Sequence, residues 1–114
     1  MPSSKKMQNI TFEDFKKLDI RIGKVISAEK VQSADKLIKL IIDLGTEKRQ
    51  IIAGMAEFYP PEHFTGKEMP ILANIEPKKF KGLESHGMIM AADVDGHPVL
   101  LHPEKEIPAG SIVK

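Results

Sequence analysis

The sequence predicts an all-β domain: a closed or nearly closed five-stranded barrel, preceded by one short helix. Three observations predict it. Apolar residues alternate or cluster in several short runs, turn residues rather than helix-length spacers separate those runs, and a single stretch carries a helix start signal. Crossover helices, which a parallel α/β sheet requires, have no room between the strands. Closing the sheet also removes exposed strand edges. With 114 residues the chain fits one core. Residues 1–9 read as a flexible tail ahead of a single domain over 10–114.

The helix is expected from residue 11 to about 18, where the Thr11 hydroxyl can cap the first turn and Glu13 and Asp14 complement its dipole. Ile20, Ile22, Ile26 and Ala28 then share one parity against Arg21, Ser27 and Glu29, the period of a half-buried strand. Gly23 interrupts that pattern and marks an expected bulge or bend. After a polar turn at 32–35, the isoleucine-rich run 37–44 reads as a second strand, and a turn at 43–46 leads to a third around 50–52. Residues 53–59 allow one helical turn, which Pro60 and Pro61 end. A fourth strand is expected over 69–75 and a fifth over 88–92. Asp95-Gly96 then makes a hairpin turn into residues 99–101, and the segment 107–113 is apolar enough to pack.

Composition narrows the function. Hydrophobic residues make up 41% and charged residues 29%, and no apolar run approaches the ~20 residues of a membrane span. The polar opening reads as no secretory signal, so a cytoplasmic location and no membrane partner are expected. The absence of cysteine removes disulfides, thiolate metal sites and cysteine nucleophiles. Net charge is only +1, but its distribution is uneven. Residues 1–50 hold 11 Lys and Arg against 7 Asp and Glu, whereas residues 51–114 hold 6 against 9. Half of those six cations, Lys78, Lys79 and Lys81, fall together, which makes a small directed anion site.

No catalytic constellation emerges, so an enzyme is not expected. His63, His86, His97 and His102 match no metal-ligand spacing, and no metal or cofactor is expected. Ser85 and His86 are adjacent, so on a strand they point to opposite faces. Gly82 and Gly87 lack the Lys-Ser or Lys-Thr pair of a nucleotide loop. The segment 74–88 is the best candidate for function. Its lysines can pair with phosphates, while Asn74 and Ser85 can hydrogen-bond to ribose or base edges. With few aromatic rings, recognition of folded RNA by shape and phosphate is expected rather than base stacking. Phe80, between Lys79 and Lys81, is the one ring placed to reach a base; plugging the barrel is the competing role.

Five motifs occur in order: Asp19-Ile-Arg-Ile-Gly23, Ala34-Asp-Lys-Leu37, Ala53-Gly54, Asn74-Ile-Glu-Pro-Lys-Lys-Phe-Lys-Gly82 and Ser85-His-Gly-Met88. Over about residues 12–114 the chain resembles the tRNA-binding domain found at the C-terminus of methionyl-tRNA synthetases or as a free-standing β subunit. The opening Met1 favours the free-standing form. The resemblance implies an OB-fold barrel with a C-terminal extension, usually a homodimer, that grips tRNA without catalysing a reaction and assists the synthetase catalytic subunit. It places Asn74, Lys79, Ser85 and Met88 at tRNA-contact positions, supported by Lys78, Lys81, Arg21 and Lys36. Met88 is equally a core residue opening the fifth strand. Val31-Gln32 stands where the family often has His-Pro, so that turn is expected to differ. The same fold occurs in CsaA-like dimeric chaperones for unfolded polypeptides, which is the alternative reading; a scaffold without RNA affinity is a third.

Overall fold

The computed structural model describes residues 7–114. Most of the tail expected over 1–9 lies outside the described residues; residues 7–9 are exposed and form neither helix nor strand. The Thr11 hydroxyl accepts the Asp14 N–H at 3.1 Å and starts helix α1, Phe12–Phe15. The helix is shorter than expected. Past Lys16 the backbone tightens to i−3 bonds, and the Lys17 carbonyl is taken by the Asn74 amide at 2.7 Å, which turns the chain into the first strand.

Strands β1 (Ile20–Val31), β2 (Ala34–Asp43), β3 (Lys48–Ala53), β4 (Glu68–Leu72) and β7 (Met88–Ile89) form one sheet in the order β3-β2-β1-β4-β7. β1 is long because it serves two neighbours. Its first residues pair with β4, from Ile20 opposite Leu72 to Lys24 opposite Glu68, and the remainder pairs with β2. The five-stranded expectation holds, with closure incomplete. Between β3 and the β7 side there is no continuous ladder. Instead His86 N–H donates to the Gln50 carbonyl, the Gln50 amide to the Glu84 carbonyl, and Ile52 N–H to the Ser85 hydroxyl, each at 2.9 Å.

The expected parity of β1 fails at Ile26 and holds again at Ala28, which packs against the core. The bulge lies at Ile26, between Val25 and Ser27, so Ile26 turns outward at 44% exposed while Val25 is 1% exposed in the core. Gly23 has a different task. A Cβ there would meet Ile42 Cγ2 at 2.4 Å, so glycine lets β1 approach β2 closely. The enclosed core joins Ile38, Leu40, Ile42, Ile51, Met69 and Ile71 from the strands to Leu44, just past β2, and to Phe64, which follows the Pro61–His63 3-10 turn. Pro61 starts that turn, and residues 55–59 make the single expected turn before it.

Other boundaries also move. β4 stops at Leu72, and the polar turn before β2 is only Gln32 and Ser33. The fifth strand divides at Met90: β7 pairs with β4, while β8 (Ala91–Val94) leaves to pair with β9 (His97–Leu100) through the expected Asp95-Gly96 turn. The C-terminal segment docks by its backbone. Ile22 N–H donates to Ser111, Gly110 N–H to Ile22 and Val113 N–H to Ile20, while Ile112 and Val113 keep side chains exposed.

Candidate nucleic-acid interface

The segment singled out for function forms a hairpin that the strand periodicity missed, β5 (Lys78–Phe80) and β6 (Leu83–Ser85), with Lys78 opposite Ser85 and Lys79 opposite Glu84. Lys81 and Gly82 make its two-residue turn, both left-handed at φ 51° and 83°. This geometry favours Asn or Asp at its first position, as Asp95 illustrates in the β8–β9 turn at φ 52°. A lysine there costs about 1 kcal/mol. Lys78, Lys79 and Lys81 are exposed, and none forms an ion pair with a carboxylate of the described residues.

Three hollows adjoin along this side of the protein. Lys36, Leu37, Phe80 and Lys81 line one of about 490 Å³. Phe80, Lys78, Ser85 and Met88 line a smaller one of about 220 Å³. Met88 in turn borders a third, with Met55, Phe58 and Met90. Phe80 and Met88 are therefore the ridges between neighbours. The Lys78 ammonium lies 5.1 Å from the Phe80 ring centroid. Phe80 is only half-buried and stands outside the core cluster, so it is no barrel plug.

The structure thus brings Lys36, Lys78, Lys81, Ser85 and Met88 around one aromatic ring. Met88 is 44% exposed on the surface rather than in the core. Lys79 is exposed but lines none of the three hollows, and neither do Asn74 and Arg21. The Asn74 amide accepts the Asp19 N–H at 2.9 Å and donates to Lys17, clipping α1 to the end of β4. Arg21 grips Asp19 through two bonds of 2.9 Å. That hydrogen bonding, outweighing desolvation, holds the Asp19 carboxyl below its ordinary value and raises the guanidinium.

Ser85 is buried, and its hydroxyl accepts from Ile52 N–H and donates to the Gly87 carbonyl at 3.0 Å. Ser85→Ala is therefore expected to cost about 1–3 kcal/mol, because a buried N–H loses its partner. Urea unfolding checks this; an unchanged midpoint refutes the closure role. Sequence reasoning also missed Arg49, whose guanidinium binds Glu47 and donates to the Ala73 and His86 carbonyls, stapling β3 to two other segments. Nothing in the local pattern distinguishes it from a solvated strand cation. Among the described residues no cluster of His, Asp or Glu is placed to hold a metal ion, and no helix is long and apolar enough to cross a membrane.

Fold and site together define a small module, an incompletely closed five-stranded sheet of OB type that presents a lysine-bearing hairpin beside an apolar hollow. Residues 20–112 match the family described as "Putative tRNA binding domain", and the chain belongs to that family. It is 58% identical to a methionine-tRNA ligase of Archaeoglobus fulgidus over 106 residues, 93% of this chain and 16% of the ligase. A methionine-tRNA ligase of Methanothrix thermoacetophila is 52% identical over 101 residues, 89% of this chain and 15% of that protein. The chain thus spans less than a fifth of the length of these relatives.

Among solved structures, a MetRS-related protein from Pyrococcus horikoshii aligns with a TM-score of 0.90 at 39% identity, covering 95% of this chain and all of that one. The chaperone CsaA from Bacillus anthracis aligns at 0.85 and 33%, covering 94% of this chain and all of that one.

Proposed function

We propose that the chain binds folded tRNA through shape and phosphate contacts and thereby assists methionyl-tRNA synthetase, with no active site of its own. The observation that carries this reading is the gathering of Lys36, Lys78 and Lys81, all exposed, on the hollows that meet at Phe80. Asp35 borders the first hollow and Glu76 the second, yet none of the three ammonium groups forms an ion pair among the described residues, so they can neutralise phosphates and release counterions. A grip of this kind becomes useful by raising the local tRNA concentration near the catalytic subunit. It lowers the apparent KM for tRNA more than it changes turnover.

A second reading, capture of unfolded polypeptide, is favoured by the methionine-lined third hollow and the likeness to CsaA. One experiment separates the two: fluorescence anisotropy with folded tRNA, unstructured RNA and an unfolded peptide at two salt concentrations. Folded tRNA is expected to bind best, with affinity falling as salt rises. A salt-insensitive complex, or preference for the peptide, overturns the tRNA reading.

Two copies are proposed to associate through the N-terminal and C-terminal segments, where Ile10, Phe12 and Ile112 are 67%, 70% and 59% exposed. Sedimentation is expected to report twice 12.7 kDa; a monomer throughout rejects the pairing.

A further inference from the structure

We propose that the small hollow between Phe80 and Met88 receives one unstacked nucleobase of the bound RNA, a proposal that rests on the tRNA-binding reading and deepens it. Size is the first argument. At about 220 Å³ the hollow lies below the ~300 Å³ lower bound of drug-sized sites and far above the ~30 Å³ share of one water. It suits a single ring system rather than a dinucleotide or a helix.

Chemistry then selects the base over the phosphate of the same nucleotide. Ile52 is nearly inaccessible at 6%, Ile75 and Met88 are 41% and 44% exposed, and Phe80 supplies an aromatic wall. Apolar walls match the faces of a base, and the Glu76 carboxylate that also borders the hollow repels a phosphate. Lys78 borders the same hollow with its ammonium close to the Phe80 ring. Its flexible stem lets that ammonium leave the ring for the backbone phosphate as the base takes its place.

The polar groups specify which bases fit. Ser85 Oγ already uses its proton on Gly87 and one lone pair on Ile52, leaving one lone pair free. An ionised Glu76 likewise only accepts. Two acceptors favour adenine, cytosine and guanine, whose exocyclic amine offers two N–H donors, over uracil, whose pairing edge offers only N3–H.

The test compares three RNA hairpins by anisotropy at constant salt: fully paired, carrying one bulged guanosine, and carrying an abasic nucleotide at that bulge. The guanosine bulge is expected to bind about 10-fold tighter than the paired hairpin, with the abasic hairpin back at the paired level. Phe80→Leu is expected to erase the difference between guanosine and abasic bulges, and a uridine bulge to recover only part of it. An abasic bulge binding as tightly as guanosine overturns the proposal, and the RNA arms decide this without any protein variant. Equal affinity for all three hairpins overturns the pocket and leaves the tRNA reading standing. Failure of every hairpin overturns the pocket; failure of folded tRNA as well overturns the reading beneath it.

Discussion

Replacing Lys36, Lys78 and Lys81 together by alanine is expected to weaken binding of folded tRNA most at low salt. If each ammonium neutralises one phosphate, the slope of log affinity against log salt falls by about 2–3. The wild-type advantage then shrinks roughly 16- to 64-fold between about 50 and 200 mM salt. Folding is not the confounder, since all three side chains are exposed and none forms an ion pair with the described residues. Lys79→Ala provides an internal comparison. Lys79 lies opposite Glu84 and borders none of the hollows around Phe80, so its loss flattens the slope less than the loss of Lys81. A triple variant with an undiminished slope refutes the electrostatic account.

Gly110→Ala is expected to be the most destabilising single substitution at the surface. Gly110 sits at φ +90°, and a Cβ there would lie 2.3 Å from the Leu44 carbonyl oxygen. Across the same crossing Gly45 sits at φ +92°, with Ala109 O 2.6 Å from its missing Cβ. Both obstacles are backbone, so no rotamer change relieves them. Left-handed strain of about 1–2 kcal/mol adds to overpacking of about 1–3, lowering Tm by roughly 10–20 °C. Gly66→Ala separates the two contributions, because Gly66 has φ +84° with nothing within 4 Å. It should lose only the smaller, conformational part. If the two variants melt together by circular dichroism, the C-terminal segment is not pinned at that crossing.

Where a feature depends on neighbours in sequence, it was legible. The Thr11 cap, the isoleucine-rich second strand and the Asp95-Gly96 turn are all local devices, and all three are present. Features decided by distant partners were not. The bulge at Ile26 puts Val25 in the core and Ile26 outside it, near the point where β1 passes from β4 to β2, a displacement no window of β1 reveals. The division at Met90 has the same origin, since β7 follows β4 and β8 follows β9.

The candidate site was legible as a segment and illegible as a surface. Lysines flanked by proline and glycines drew attention to residues 74–88, but Lys-Gly is a poor announcement of a left-handed turn, so the β5–β6 hairpin stayed hidden. Without that hairpin, nothing placed Lys36 beside Lys81, or both beside Phe80. Ser85 and Asn74 look in sequence like polar groups free for a ligand. Folding instead engages the Ser85 hydroxyl with Ile52 and Gly87, and the Asn74 amide with Lys17 and Asp19.

The two tight turns with matching backbone angles, one led by Lys81 and one by Asp95, answer differently to selection. Laboratory evolution for heat tolerance alone drives position 81 toward asparagine, aspartate or glycine, while position 95 stays as it is. If Lys81 serves the proposed tRNA grip, growth that depends on charged tRNA is expected to hold the lysine in place against that drift, and deep sequencing of the two populations tests this.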